Sequence, residues 1–337
     1  MPNKPLVLTP GEPGGVGPEI AAKAWAALRH DATLAFCLIG DADLLQQRCA
    51  AAHVPVAVRK VSSLAEAPTC FSSALPILHR PLAVQPVCGA FRPETAPWVI
   101  AAIDEAVEAC MSGAASGMVT CPIQKEALYA AGFTHQGHTD YLAHLAQQRG
   151  HVVHEVMMLV GGGLRAVPVT VHIALKDVPL HLSGDAIMAQ ARVVHDALKT
   201  QFGIAAPRIA VTGLNPHAGE NGAMGREEID IIIPAIARLK QDGLDVRGPL
   251  PADTAFFPQE RARYDAILCM YHDQALIPVK TLDFHGGVNV TLGLPFIRTS
   301  PDHGTALGLA GTGTAHAESL IAALTLARDM ARHSQQP

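Results

Sequence analysis

Aromatic side chains make up only 4% of the 337 residues, and there is no excess of positive charge: 25 Lys and Arg stand against 30 Asp and Glu, a formal net charge of −5. The first shortage argues against a base-stacking platform and the second against a basic face for a phosphate backbone, so no nucleic-acid partner is expected. Long apolar runs are also lacking. Val156–Leu164 and Ala166–Leu175 are divided by Arg165, and neither reaches the roughly 18 residues of a membrane span. The N-terminus offers only Leu6–Leu8 before proline and glycine intervene, too short for a signal-peptide core, so a cytoplasmic protein with no membrane partner is expected. The seven cysteines are odd in number and form no C-x-x-C pair, which reads as scattered reduced thiols rather than a disulfide frame or zinc ribbon. Nucleotide fingerprints are absent as well. The turn Gly11–Glu19 fits neither G-x-G-x-x-G nor G-x-x-x-x-G-K-[ST], and Pro13 and Pro18 remove N–H donors from it.

What remains is a folded chain, 49% hydrophobic and 16% charged, long enough for about two domains. Strand and helix signals alternate from end to end. Leu6–Leu8 reads as a strand leading through the glycine-rich turn into a helix from about Pro18, and Leu34–Ile39 as a buried strand. Trp98–Met111 carries apolar residues at intervals of three and four, the pattern of an amphipathic helix. In Arg165–Leu175 the apolar residues Val167, Val169, Val171 and Ile173 recur at a period of two, which predicts a strand with His172 on its opposite face. Arg208–Thr212 and Ala266–Met270 are short apolar strands running into polar loops, and a helix is expected from His316 to about Arg332. The alternation predicts an α/β fold with a largely parallel sheet and ligand sites at strand ends.

The 17 histidines are the compositional anomaly. His172, His217 and His272 each lie in or just after a predicted strand, and if those strands are neighbours three imidazoles converge on one sheet edge. Three histidines and an open position make a catalytic metal site, yet their spacings of 45 and 55 residues match no local metal motif. Gly137-His138-Thr139-Asp140 opens a predicted helix, either as an anion site with His138 and Thr139 as donors or as an ordinary cap. Lys280, Asn289 and Arg298 crowd one stretch, where charged groups among apolar neighbours call for an anionic ligand or an internal partner. Other features read as structural. His151 and His154 form a solvated pair, Gly161–Gly163 a hairpin or loop turn, and Ser300–Thr305 is too compact for a hydrolase triad. Gly225-Arg226-Glu227-Glu228 reads as a helix start with acids at its positive end.

In order, several segments resemble one family, the 4-hydroxythreonine-4-phosphate dehydrogenases of vitamin B6 synthesis. They are TPGEPGGVGPEI (Thr9–Ile20), GHTDYLA (Gly137–Ala143), VTVHIAL (Val169–Leu175), GLNPHAGENG (Gly213–Gly222), GPLPADTAF (Gly248–Phe256), YHDQALIPVK (Tyr271–Lys280) and GVNVTLGLPFIRTSPDHGTA (Gly287–Ala306). Gly14 and Val16 depart from the usual alanine and isoleucine of the first motif. The resemblance implies a two-domain fold like that of isocitrate and isopropylmalate dehydrogenases, not a standard Rossmann domain. The expected division is residues 1–130 with 275–337 on the cofactor side and 131–274 on the metal and dimer side, with the active site in the cleft between. It implies His172, His217 and His272 as metal ligands and His138, Thr139, Lys280, Asn289 and Arg298 as substrate-binding residues. A homodimer with the active site at the subunit interface is implied too. The expected cofactors are a divalent metal (Zn²⁺, with Mg²⁺ or Co²⁺ as substitutes) and NAD or NADP, whose adenine would lie near Asp302–Gly313. The implied reaction oxidises 4-hydroxy-L-threonine phosphate at C3 to a β-keto acid, which loses CO₂ to give 3-amino-2-oxopropyl phosphate. Asp253 and Asp273 are candidates for orienting ligands or moving protons, and no general base is assigned. The nearest alternative is a paralogue acting on D-threonate or D-erythronate 4-phosphate or on a cis-dihydrodiol.

Overall fold

The computed structural model describes residues 4–334. The chain divides into two compact units, the first running through Val153 and resuming over Leu294–Ala331, the second comprising His154–Gly293 and a short stretch from Arg332. Both crossings lie later in the chain than expected. His138 and Thr139 therefore belong to the first unit with Arg298, while Lys280 and Asn289 join the three histidines in the second.

Twelve strands are described. β1 (Leu6–Thr9), β2 (Phe36–Gly40), β3 (Val58–Val61), β4 (Leu75–His79) and β5 (Met118–Thr120) fall in the first unit. β6 (Val156–Gly161), β7 (Leu164–Thr170), β8 (Arg208–Thr212), β9 (Asp245–Leu250), β10 (Ala266–Tyr271) and β11 (Val288–Leu292) make up the second, and β12 (Arg298–Pro301) returns to the first.

In the first unit the order is β3-β4-β2-β1-β5-β12, parallel throughout. β1 and β2 are buried at every residue, as expected of parallel strands covered on both faces. The helix Ala96–Met111 packs Val99, Ile103 and Val107 into a core shared with Val7, Ile39 and Leu142. It starts two residues before the predicted Trp98, because Pro97 in its first turn has no N–H to lose there. The second unit is a mixed sheet, β11-β6-β7-β10-β8-β9. Of the hairpin or loop turn expected at Gly161–Gly163 the hairpin is found, joining β6 and β7 antiparallel, and β11 pairs antiparallel with β6. From β7 onward the pairs are parallel. Leu159, Ala166, Ile267, Ala275 and Val279 form its core.

Candidate active site

β10 lies between β7 and β8, paired in parallel with both, so the ends of all three strands emerge on the same edge of the second unit's sheet. Tyr271 is in register with Thr170, and Leu268 with Val211. His272 opens the helix His272–Leu282 directly after β10, His172 follows β7 by two residues, and His217 follows β8 by five. The conditional neighbourhood of the sequence reading is thus met, with ligand-type residues beyond the carboxyl ends of parallel strands.

One detail of that reading is corrected. His172 is not on a strand face: β7 stops at Thr170, and His172 is exposed with φ 51°. The cause is β10, which turns into a helix one residue past Tyr271 and leaves no ladder partner for the chain beyond Thr170. The apolar alternation reflects a central strand buried on both faces rather than a half-exposed one.

The rings of His172 and His272 lie 5.6 Å apart between centroids, beside a hollow of about 310 Å³ also lined by Thr170, Tyr271 and Asp273. Nδ1 of His272 sits 2.7 Å from Oδ1 of Asp273. With Nδ1–H donated to that carboxylate, Nε2 is left as the lone-pair nitrogen, the arrangement by which acids orient metal-binding histidines. Asp273 is thereby given a partner, whereas Asp253 is exposed in the turn Ala252–Ala255. The strand ends are tied by Gln274. Its Oε1 accepts from Met270 N–H (2.6 Å) and the Thr212 hydroxyl (2.8 Å), and its Nε2 donates to Gly213 C=O (2.8 Å).

His217 begins an unusual turn. His217, Ala218, Gly219, Glu220 and Asn221 all adopt left-handed backbone angles, with φ from 43° to 81°. For L-residues this costs about 1–2 kcal/mol each, strain of the kind that gathers at functional sites.

The ligand atoms of the three histidines do not close into a ready-made cage. Among the described residues the His/Asp/Glu/Cys set whose ligand atoms lie within 4.8 Å of one another is Asp41, Asp43 and His79. That set is committed elsewhere: Asp41 Oδ1 caps the helix Ala42–Ala51 by accepting from Asp43 and Leu44 N–H, and its Oδ2 takes Leu82 N–H (2.8 Å). His79 Nδ1 accepts from Ala42 N–H, and Asp43 pairs with Lys60. The three histidines, one of them oriented by a carboxylate, are the donor type that divalent transition metals take.

The first unit holds a separate cluster of cationic groups. His138 is the first residue of the helix His138–Gln148, and its Nε2 is buried with no hydrogen-bond partner among the described residues. Burial, reinforced by Arg298 and Lys125, holds its pKa well below the usual imidazole value, so the ring is neutral at pH 7. Arg298, 4% exposed, donates to Thr120 Oγ1 (2.7 Å), and burial pulls its pKa down to about 10. Thr139 follows in the first turn of the helix. Lys125 was not singled out from the sequence, yet a Cβ on Gly137 would stand only 3.2 Å from its Cε. The only signal for it was a lysine shortly after β5, in C-P-I-Q-K. In the second unit, Lys280 lies in the last turn of the helix from His272 with its ammonium 5.9 Å from the Phe284 ring centroid. Asn289 sits in β11 opposite Leu159, its buried Oδ1 without a hydrogen-bond partner among the described residues.

The glycine-rich turn at Gly11–Gly17 is built around a buried pair. Arg48 donates to Gly15 C=O (3.0 Å) and Pro13 C=O (2.9 Å) and stands 3.7 Å from Glu19. Glu19 accepts from Gly311 N–H, and Lys23 donates to the carbonyls of Gly313 and Ala315, so one helix clamps the C-terminal glycine-rich segment.

The model of the pyridoxal phosphate biosynthetic protein PdxA matches residues 32–327. A 4-hydroxythreonine-4-phosphate dehydrogenase of Caulobacter vibrioides is 53% identical over 333 residues, covering 98% of each chain. The crystal structure of the Klebsiella pneumoniae 4-hydroxythreonine-4-phosphate dehydrogenase is similar at a TM-score of 0.87 and 37% identity, over 98% of this chain and all of the other. A terephthalate 1,2-cis-dihydrodiol dehydrogenase from Burkholderia xenovorans is similar at 0.65 and 29% identity, over 97% of this chain and 98% of the other. The chain belongs to the PdxA family of pyridoxal phosphate biosynthetic proteins.

Proposed function

We propose that the protein oxidises 4-hydroxy-L-threonine phosphate at C3 with NAD⁺ or NADP⁺, yielding 2-amino-3-oxo-4-(phosphonooxy)butanoate, as a step of pyridoxal 5′-phosphate synthesis. The hydroxyl proton leaves, a hydride passes from C3 to the nicotinamide, and the β-keto acid then loses CO₂ to give 3-amino-2-oxopropyl phosphate. The observation that carries this reading is the emergence of His172, His217 and His272 from three neighbouring parallel strands. Those residues would hold a divalent cation, a Lewis acid that favours loss of the hydroxyl proton and so departure of the hydride.

The remaining roles follow from charge. Arg298, Lys125, Lys280 and the neutral His138 would neutralise or donate to the phosphate and carboxylate, with Thr139 adding a hydroxyl. Asn289 would orient the substrate through its buried amide oxygen, which has no hydrogen-bond partner among the described residues. A homodimeric working form is part of the proposal. It is supported by large apolar side chains left exposed in the second unit, Leu180 at 82% and Phe284 at 71%. A cytoplasmic location is proposed with it; among the described residues no helix is long and apolar enough to cross a membrane.

The test is NAD(P)H formation at 340 nm with 4-hydroxy-L-threonine phosphate, before and after chelation and on return of Zn²⁺, with D-threonate and D-erythronate 4-phosphates and a cis-dihydrodiol run in parallel. Metal-dependent reduction with the amino substrate upholds the reading. Preference for another substrate moves the protein to a paralogous activity, and no reduction with any of them sinks it.

A further inference from the structure

The second acid of Gly225-Arg226-Glu227-Glu228 does not serve as a helix-terminal charge. Glu228 is 2% exposed, and its carboxyl points into the turn that carries His217. Oε1 accepts from the backbone N–H of Leu214 (2.8 Å) and of Asn215 (2.7 Å), and Oε2 accepts from the Asn215 side-chain amide (2.9 Å). The same amide donates to Glu227 at 2.7 Å, so both acids hold Asn215. The chain also makes room for the carboxyl on both sides of His217. A Cβ at Gly213 would stand 3.0 Å from Oε1, and one at Gly219 would stand 2.6 Å from Oε2. Glu228 itself opens a single π turn, Glu228–Ile232, a local widening that recurs at functional sites.

A left-handed run containing four non-glycine residues persists only where surrounding groups hold it. Here the holding group is identifiable, because Glu228 fixes the two residues before Pro216 and abuts the glycine two residues after His217. We infer that Glu228 is the positioning residue for His217, locking the left-handed turn so that the imidazole is presented at the edge where His172 and His272 emerge. This rests on the three-histidine metal reading above and adds a group outside the ligand set on which metal affinity depends.

The experiment titrates metal-free enzyme with Zn²⁺ against a chromophoric chelator and records the visible Co²⁺ spectrum, for the wild type, E228Q, H217A, H172A and the pairs H217A/E228Q and H172A/E228Q. E228Q is expected to weaken Zn²⁺ binding about 10–100-fold, as loss of an orienting partner does, and to shift the Co²⁺ bands toward those of H217A. In the H217A background E228Q should cause no further loss, while in H172A it should still do so, since only His217 is held through Glu228. Where E228Q does not yield folded protein, Asn215→Ala removes the side-chain bond to Oε2, keeps both backbone bonds and enters the same cycle. Zn²⁺ affinity of E228Q within twofold of wild type, or an equal further loss on top of H217A, overturns the inference. A wild type that binds no Zn²⁺, or single histidine variants that bind like wild type, overturns the metal reading itself and this inference with it.

Discussion

Removing Arg48 should destabilise the first unit far more than removing the pair it forms. Arg48 is 5% exposed and Glu19 fully buried, and Oε2 of Glu19 has no hydrogen-bond partner among the described residues. Arg48→Met keeps the stem but strands Glu19 without a counter-charge and takes the donor from Gly15 and Pro13 C=O. Breaking one side of a buried ion pair costs about 3–5 kcal/mol, whereas replacing both members is often neutral. Glu19→Gln retains an acceptor for Gly311 N–H while removing the charge. R48M should therefore lower stability by about 3–5 kcal/mol, or roughly 6–20 °C in melting temperature for a unit of this size. R48M/E19Q should recover a large part of that loss. Urea unfolding followed by circular dichroism reads both. An R48M cost below about 1 kcal/mol, or a double variant less stable than R48M, would refute the reasoning.

Three further outcomes are expected. His138 is held neutral in the folded protein, so its pKa lies below the unfolded value near 6.5, and the unfolded chain binds its proton first on acidification. Stability should fall as pH drops below about 6.5, by up to about 1.4 kcal/mol per pH unit from this group, and His138→Asn should flatten that slope in urea midpoints at pH 7 and 5.5. Asp273→Asn should weaken Zn²⁺ binding about tenfold, measured by chelator competition, because His272 loses the carboxylate on Nδ1; affinity unchanged from wild type would show the ring is oriented otherwise. Cys88 is the exposed cysteine, while burial pushes Cys37, Cys49, Cys110 and Cys121 up to about 12, so native protein should show one fast-reacting thiol, abolished by Cys88→Ser.

The short strands were legible because buried parallel strands are written as apolar runs: Arg208–Thr212 is read to the residue and Ala266–Met270 to within one. That β10 stands between β7 and β8 could not be read, since sheet order depends on pairings across about a hundred residues of chain. His172 was misplaced because both half-exposed and doubly buried strands can show alternating apolar residues. The turn at His217 was beyond local reading for a different reason. Ala218 and Glu220 have no preference for left-handed backbone, and the carboxyl imposing it comes from eleven residues further on. Lys125 escaped notice because an exposed lysine has no periodicity to mark it, and only folding brings it beside Gly137.

Strand β12 gives the molecule an order of completion during synthesis. β5 acquires its outer neighbour only when Arg298–Pro301 has been made, after the whole of His154–Gly293. The middle segment is contiguous and holds all six strands of its sheet, so it can finish first. A nascent chain halted before residue 298, or a fragment ending at Val153, instead presents the bare parallel edge of β5, an invitation to pair with another chain. A truncation that removes Arg298–Pro301 therefore leaves bare, at β5, the sheet that began at residue 6.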